Sequence, residues 1–206
     1  MNPAAAIALC AATLNLAAAA LHFAIARAPG WREARAFALI ALTAGVYNAG
    51  SFVFCLGGFS DETYTTVGRF TYFFGHLNGL GWCVYAFGGA IASWRRMPSM
   101  IRWGSGASLA IAVVFLVSGL ALQPRVEVVE VAWAGVQYRY PLPTPAGDLY
   151  GVFILGHFVL TFGQLIRRTR AVQVGTRVVL HFQGLRARRD PGMDIARQAC
   201  DPSHET

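Results

Sequence analysis

Residues 36–60 read AFALIALTAGVYNAGSFVFCLGGFS, 25 positions without one Asp, Glu, Lys or Arg. The polar members, Thr43, Tyr47, Asn48 and Ser51, are few and uncharged. They make no polar stripe of the kind that marks a helix lying on a soluble core. At 1.5 Å per residue, about 20 mainly apolar residues cross ~30 Å of hydrocarbon, with roughly 17 to 25 as the working range. The stretch therefore reads as a membrane-spanning helix.

Outward from it, four more charge-free runs occur at 1–26, 70–94, 103–124 and 149–166. The expected fold is an all-α integral membrane helical bundle with five transmembrane helices, over about 3–26, 36–59, 70–94, 103–123 and 149–166. Composition agrees: the 206 residues are 55% hydrophobic and 13% charged, where a soluble domain has roughly a quarter charged. That balance excludes a disordered chain, and four cysteines are too few for a disulfide-framed secreted module. The first run does not read as a cleaved signal peptide, because no basic residue precedes it and Arg27, Arg32 and Arg35 follow it.

All 17 basic residues are arginine, with a net charge of +7. If the N-terminus is outside, the inner segments 27–35, 95–102 and 167–206 hold fourteen of them. Those flanking the helices are Arg27, Arg32, Arg35, Arg95, Arg96, Arg102, Arg167, Arg168 and Arg170. Only Arg69, Arg125 and Arg139 fall outside, while the acids divide five and five. Basic residues rather than net charge set orientation, so the expectation is N-terminus outside and C-terminus cytoplasmic. The basicity is then an orientation and lipid-contact signal, and a nucleic-acid partner is not expected.

One loop has a pattern of its own. Val126-Glu127-Val128 and Val129-Glu130-Val131 interleave β-branched residues with carboxylates, and Trp133, Ala134-Gly135 and Val136-Gln137-Tyr138-Arg139-Tyr140 follow. This predicts a small extracytoplasmic β-hairpin between the fourth and fifth helices. Prolines at 141, 143 and 145 are expected to end the ladder and return the chain to the membrane.

No Asp, Glu or Arg lies mid-membrane, which argues against a proton pump or common ion-coupled transporter. The intramembrane polar residues that remain are His22, Asn48, His76, Asn78 and His157. His76 follows Arg69 by seven residues and His157 follows Asp148 by nine, a shared depth of ~10–14 Å. Haem ligation by this pair is one reading; an interhelical hydrogen bond or a small polar pocket is the commoner use of such histidines, and no cofactor is assigned. Gly75 and Gly79 form a small-xxx-small pair for helix packing. Cys10, Cys55, Cys83 and Cys200 make no metal-ligand spacing, and no nucleophile elbow, P-loop or zincin helix occurs. Catalytic and metal sites are therefore both read as none.

Several segments carry a further pattern: the basic link Gly30-Trp31-Arg32-Glu33-Ala34-Arg35-Ala36-Phe37, the helix entry Arg69-Phe70-Thr71-Tyr72-Phe73-Phe74, and Trp94-Arg95-Arg96. The hairpin exit, Gly135-Val136-Gln137-Tyr138 to Gly147-Asp148-Leu149-Tyr150, and Arg167-Arg168-Thr169-Arg170 belong to it as well. Together they resemble the N-terminal seven-helix membrane region of bacterial histidine kinases and related signalling proteins. The similarity runs over roughly 10–185 and consists of hydropathy and loop chemistry. In such a sensor two more helices and an output domain would follow. Here 172–185 is a short, broken apolar stretch containing Arg177 and His181, and the chain then turns polar.

The expected organisation is a membrane sensor domain over 1–170 and a cytoplasmic basic and polar tail over 171–206. The resemblance implies a sensory input module of a two-component-like system, non-enzymatic in this chain. It implies partners in the lipid bilayer, a small-molecule ligand on the outer face, and a cytoplasmic signalling partner or self-association. The expected ligand-binding residues are Asn48, Ser51, His76, Asn78, Trp133, Tyr138 and His157. Rival readings are a small transport or channel-like membrane protein, and an inactive fragment of a sensor kinase truncated after its fifth helix.

Overall fold

The structure, a computed structural model, describes residues 2–31, 34–88, 99–132 and 135–189, with side chains described as far as residue 170. Its elements are α1 (Pro3–Ile25), α2 (Ala34–Phe54), α3 (Asp61–Gly88), α4 (Ser99–Ser118), β1 (Leu122–Val131), β2 (Val136–Pro143) and α5 (Pro145–Arg189). Among the described residues, four helical segments are long and apolar enough to cross a membrane: Pro3–Ile25, Ala34–Phe54, Ser99–Ser118 and Pro145–Arg170. The third helix is 28 residues long but is not one of the four. Its first turns carry Asp61, Glu62 and Arg69, and the apolar run expected over 70–94 continues beyond Gly88 into residues outside those described.

Three of the helices, α1, α3 and α5, begin where a polar residue serves their free amides. Asn2 accepts from the Ala4 N–H at 2.9 Å, with Pro3 in the first helical position, where a missing N–H costs nothing. Ser60 Oγ accepts from the Thr63 N–H at 3.2 Å, so α3 starts well before the expected residue 70, with Asp61 and Glu62 in its first turn facing the positive helix end. Thr144 Oγ1 accepts from the Gly147 N–H at 3.0 Å, which starts α5 at Pro145 rather than 149. At the other ends, α2 stops at Phe54 ahead of Gly57-Gly58, short of 59. The fourth helix stops at Ser118 rather than 123, because the chain enters β1 at Leu122. α5 runs on as a helix to Arg189, past the end at 166 expected for the fifth helix. By compactness the chain divides into Met1–Phe162 and Gly163–Thr206.

Small residues set the packing of α1 and α2. The buried residues Ala5, Ala12, Ala19 and Ala26 recur every seven positions, keeping one seam on one side of the helix. Ala34, Ala36, Ala38 and Gly45 are buried on α2. Alanine and glycine seams let helix backbones approach closely, which is how helices associate where no water drives them together.

β1 and β2 pair antiparallel, with Val126↔Pro141, Glu127↔Tyr140 and Val131↔Val136 in register. Gly135, at φ +58°, makes the reversal in a conformation that L side chains rarely adopt. The expectation that prolines end the ladder at 141 is corrected: β2 runs through Pro141 to Pro143, paired with Leu122. A two-stranded ribbon leaves one edge of each strand free, and that is where proline is accommodated. An irregularity between Leu122 and Val126 takes up Pro124 on the opposite strand.

The hairpin is tied to the helix ends beside it. Arg139 Nη1 donates to the Leu56 carbonyl at 3.3 Å, and Tyr64 Oη donates to the same oxygen at 2.6 Å. Asn2 Nδ2 reaches the Gln137 carbonyl at 3.2 Å. A cation at the C-terminus of α2 meets the negative end of its dipole. At the base of the hairpin, the Thr144 N–H donates to the Ala121 carbonyl at 3.0 Å. A Cβ at Gly147 would collide with that same carbonyl, so only glycine permits this approach.

Candidate functional site

The centre of the bundle holds a buried polar chain. Ser108 on α4 stands between His76 on α3 and His157 on α5, with Oγ 2.7 Å from the Nε2 of His76 and 3.0 Å from the Nε2 of His157. All three side chains are buried, His76 completely. The Nδ1 of His157 lies 3.0 Å from the Phe153 carbonyl oxygen. A carbonyl only accepts, so this nitrogen carries a proton. In the neutral ring Nε2 is then the acceptor. It follows that Ser108 donates to His157, and that Ser108 Oγ accepts the Nε2 proton of His76. One backbone carbonyl thus gives the chain a single direction, from His76 through Ser108 to His157.

Aromatic rings enclose this chain. Phe115 lies parallel to Tyr150 at 4.3 Å, Tyr150 stacks on His76 at 5.3 Å, and Phe153 meets His157 edge-on at 4.9 Å. The two imidazole centroids are 5.0 Å apart. Axial histidines of a haem face each other across a macrocycle, whereas both Nε2 atoms here meet one hydroxyl. Among the described residues no group of three or more His, Cys, Asp or Glu gathers as a metal site.

Above the chain, beneath the hairpin, lies a cavity of about 220 Å³. Its polar lining is Tyr47, Ser51, Thr71, Tyr72, Tyr138 and Tyr140, with Gly75 and Gly151 completing the wall. The hydroxyls of Tyr72 and Tyr140 are 2.9 Å apart and bonded to each other, which leaves one of the two with a hydroxyl proton to give. Ser51 and Thr71 donate to their own helix at Tyr47 and Val67, which leaves their hydroxyls only acceptor capacity for a ligand. Burial pushes the Tyr138 phenol well above its ordinary range, and Tyr47, Cys55 and Tyr140 add to the shift. It therefore remains a neutral hydrogen-bonding group. Among the described residues no charged side chain lines the cavity. A second cavity, of about 260 Å³, shares Tyr47, Gly75 and Ile154 with the first and reaches down to Asn78. The larger void near His22, Trp31 and Phe37, about 390 Å³, lies at the opposite end of α1 and α2 and offers few polar groups.

The residues singled out from the sequence divide among these places. His76 and His157 meet through Ser108. Ser51 and Tyr138 share the tyrosine cavity, and Asn78 lines the one below it, donating to the Ile40 carbonyl at 2.8 Å and the Thr43 hydroxyl at 3.2 Å. Asn48 donates its amide to the Ala44 carbonyl of its own helix and is not among the residues lining these two cavities. Trp133 lies outside the described residues, as do Arg32, Arg95 and Arg96. Arg27, Arg35, Arg167, Arg168 and Arg170 are exposed, and Arg102 is half-buried.

Gly75 and Gly79 do not face one common partner. Gly75 packs on Tyr47 of α2, and Gly79 on His157 and Phe158 of α5. The residues that sequence reasoning missed are Ser108, Tyr47, Thr71, Tyr72 and Tyr140. Of these, Ser108 has the faintest signal, a hydroxyl closing the small-residue stretch Gly104 to Ser108. No protein family, curated protein or solved structure matches the chain.

Proposed function

We propose that this protein is a membrane-embedded sensory input module of a bacterial signal-transduction system. In this reading it has five spans, the N-terminus and hairpin outside, and an arginine-rich cytoplasmic side. The observation that carries the reading is the tyrosine cavity beneath the hairpin. It joins several hydroxyls to an otherwise apolar wall, the composition expected of a small-molecule site. Without a charged group in the lining, its ligand is neutral and mainly apolar, with one or two hydroxyl or carbonyl groups. Tyr47 is 43% exposed, which gives such a molecule a way in from the lipid.

The link to a signal is positional. The third helix lines the cavity with Thr71, Tyr72 and Gly75, and one residue further on it carries His76 of the buried chain. A ligand that prefers one arrangement of α2, α3 and α5 shifts the population toward it, and only that difference in affinity carries information inward. The orientation and the inner partner are supported by the arginine distribution and by the resemblance to histidine-kinase membrane regions.

A thermal-shift screen of detergent-purified protein against neutral amphiphilic compounds tests this. Compounds that raise the melting temperature of the wild type should lose that effect in Tyr138→Phe. Equal stabilisation of both proteins by every active compound would remove the cavity as the site.

A further inference from the structure

Two polar atoms on stacked rings beside the His76–Ser108–His157 chain are buried without a partner: His76 Nδ1 and Tyr150 Oη. His76 is fully buried and Tyr150 is 3% exposed. The direction of the chain leaves Nδ1 a bare acceptor, since Nε2 holds the proton given to Ser108. The Tyr150 hydroxyl has both a proton and lone pairs unused. Stranding such groups costs about 1–3 kcal/mol each, and a native interior ordinarily relieves that cost with a bound molecule. The two ring centroids lie 5.3 Å apart, so one small molecule bridging the two groups is within the reach of the stacked rings.

We propose that His76 Nδ1 and Tyr150 Oη together hold one buried water molecule. A buried water needs two to four polar partners, and this pair supplies an acceptor for one of its protons and a hydroxyl for its oxygen. No carboxylate, arginine or lysine among the described residues bonds to any member of the cluster, and neutral water suits such a site better than an ion. The flanking sequence gives water a route. Gly75 precedes His76 and Gly151 follows Tyr150, and both glycines line the tyrosine cavity. A Cβ built on Gly151 would meet nothing within 4 Å.

The water extends the chain to Tyr150, whose ring also stacks on Tyr72 at 6.3 Å; Tyr72 in turn bonds the hairpin through Tyr140. Contact then runs in steps from the hairpin to the middle of the bundle, by a hydroxyl pair at Tyr140–Tyr72 and by ring stacking at Tyr72–Tyr150. This site is separate from the ligand reading of the cavity and stands without it.

Magic-angle-spinning NMR of ¹⁵N-histidine-labelled protein in liposomes tests it, with His76→Gln assigning the signals. The expected result is an Nδ1 resonance of His76 shifted from the free lone-pair position and fed by magnetisation transfer from water. In Tyr150→Phe that transfer is lost while the Nε2 signal bonded to Ser108 stays. A free lone-pair Nδ1 without water transfer in the wild type overturns the proposal, whether or not the variant folds. So does transfer that is unchanged in a folded Tyr150→Phe.

Discussion

His76 and His157, 81 positions apart in the chain, meet on one oxygen: their Nε2 atoms lie 2.7 and 3.0 Å from Ser108 Oγ. Three helices, α3, α4 and α5, are pinned together by a single hydroxyl that gives one hydrogen bond and takes another. Replacing it strands two buried nitrogens, at about 1–3 kcal/mol each. An average interhelical hydrogen bond in a membrane protein contributes about 0.6 kcal/mol. Ser108→Ala should therefore destabilise the protein by more than that average, read as a lower melting temperature in detergent. A change within about 0.5 kcal/mol, the range of an ordinary surface substitution, would show the chain to be incidental.

The second strand ties the hairpin to the end of α2, while α3 packs beneath both strands. Arg139→Ala removes a donor from the Leu56 carbonyl and a cation from a helix C-terminus, a contribution of about 0.3–1 kcal/mol. Tyr64 still serves that carbonyl, so global stability should fall little. Amide hydrogen exchange over 136–140 should nonetheless quicken, with α4 unaffected. Unchanged exchange in the strand would mean that other contacts hold it.

The Tyr138 phenol is held protonated above its ordinary value of 10.0. A raised folded value means that this group's contribution to stability is whole below pH 10 and is lost as pH climbs toward the higher folded value. The phenolate absorbance of folded wild type and Tyr138→Phe should therefore coincide at about pH 10.5, near the ordinary tyrosine value. An extra phenolate in the wild type at that pH would contradict the burial described.

Orientation has its own test. In a cysteine-free background, Ser60→Cys should react with an impermeant thiol reagent added outside intact cells, and Ala28→Cys only after the membrane is opened. The reverse pattern would invert the topology drawn from the arginines.

Sequence reading reached the helices because charge-free runs are long and charges gather between them. It found the hairpin because Val-Glu alternation around a Gly turn has a period of two. It misjudged ends, where one capping residue decides: Ser60 starts α3 nine residues before the apolar run begins at 70, and Thr144 starts α5 at Pro145. The histidines stood out because imidazole is rare in an apolar run. Ser108 did not, because a hydroxyl in such a helix ordinarily bonds its own backbone, as Thr13, Thr43, Ser51 and Thr71 do here. Asn48 bonds its own backbone in the same way, and only the packing of α3 against α4 and α5 distinguishes Ser108 from such residues.

The central claim is that the cavity under the hairpin takes a ligand. Gly151→Leu tests it most directly, since it adds bulk at a residue that lines that space and where a Cβ meets nothing within 4 Å, and Gly104→Leu, at an α4 position equally open and lining neither cavity, serves as the control. Binding of the most stabilising neutral amphiphile should be measured by calorimetry on the wild type and both variants. The account predicts that affinity survives in Gly104→Leu and is lost in Gly151→Leu while that protein remains folded. Equal affinity in all three would contradict it.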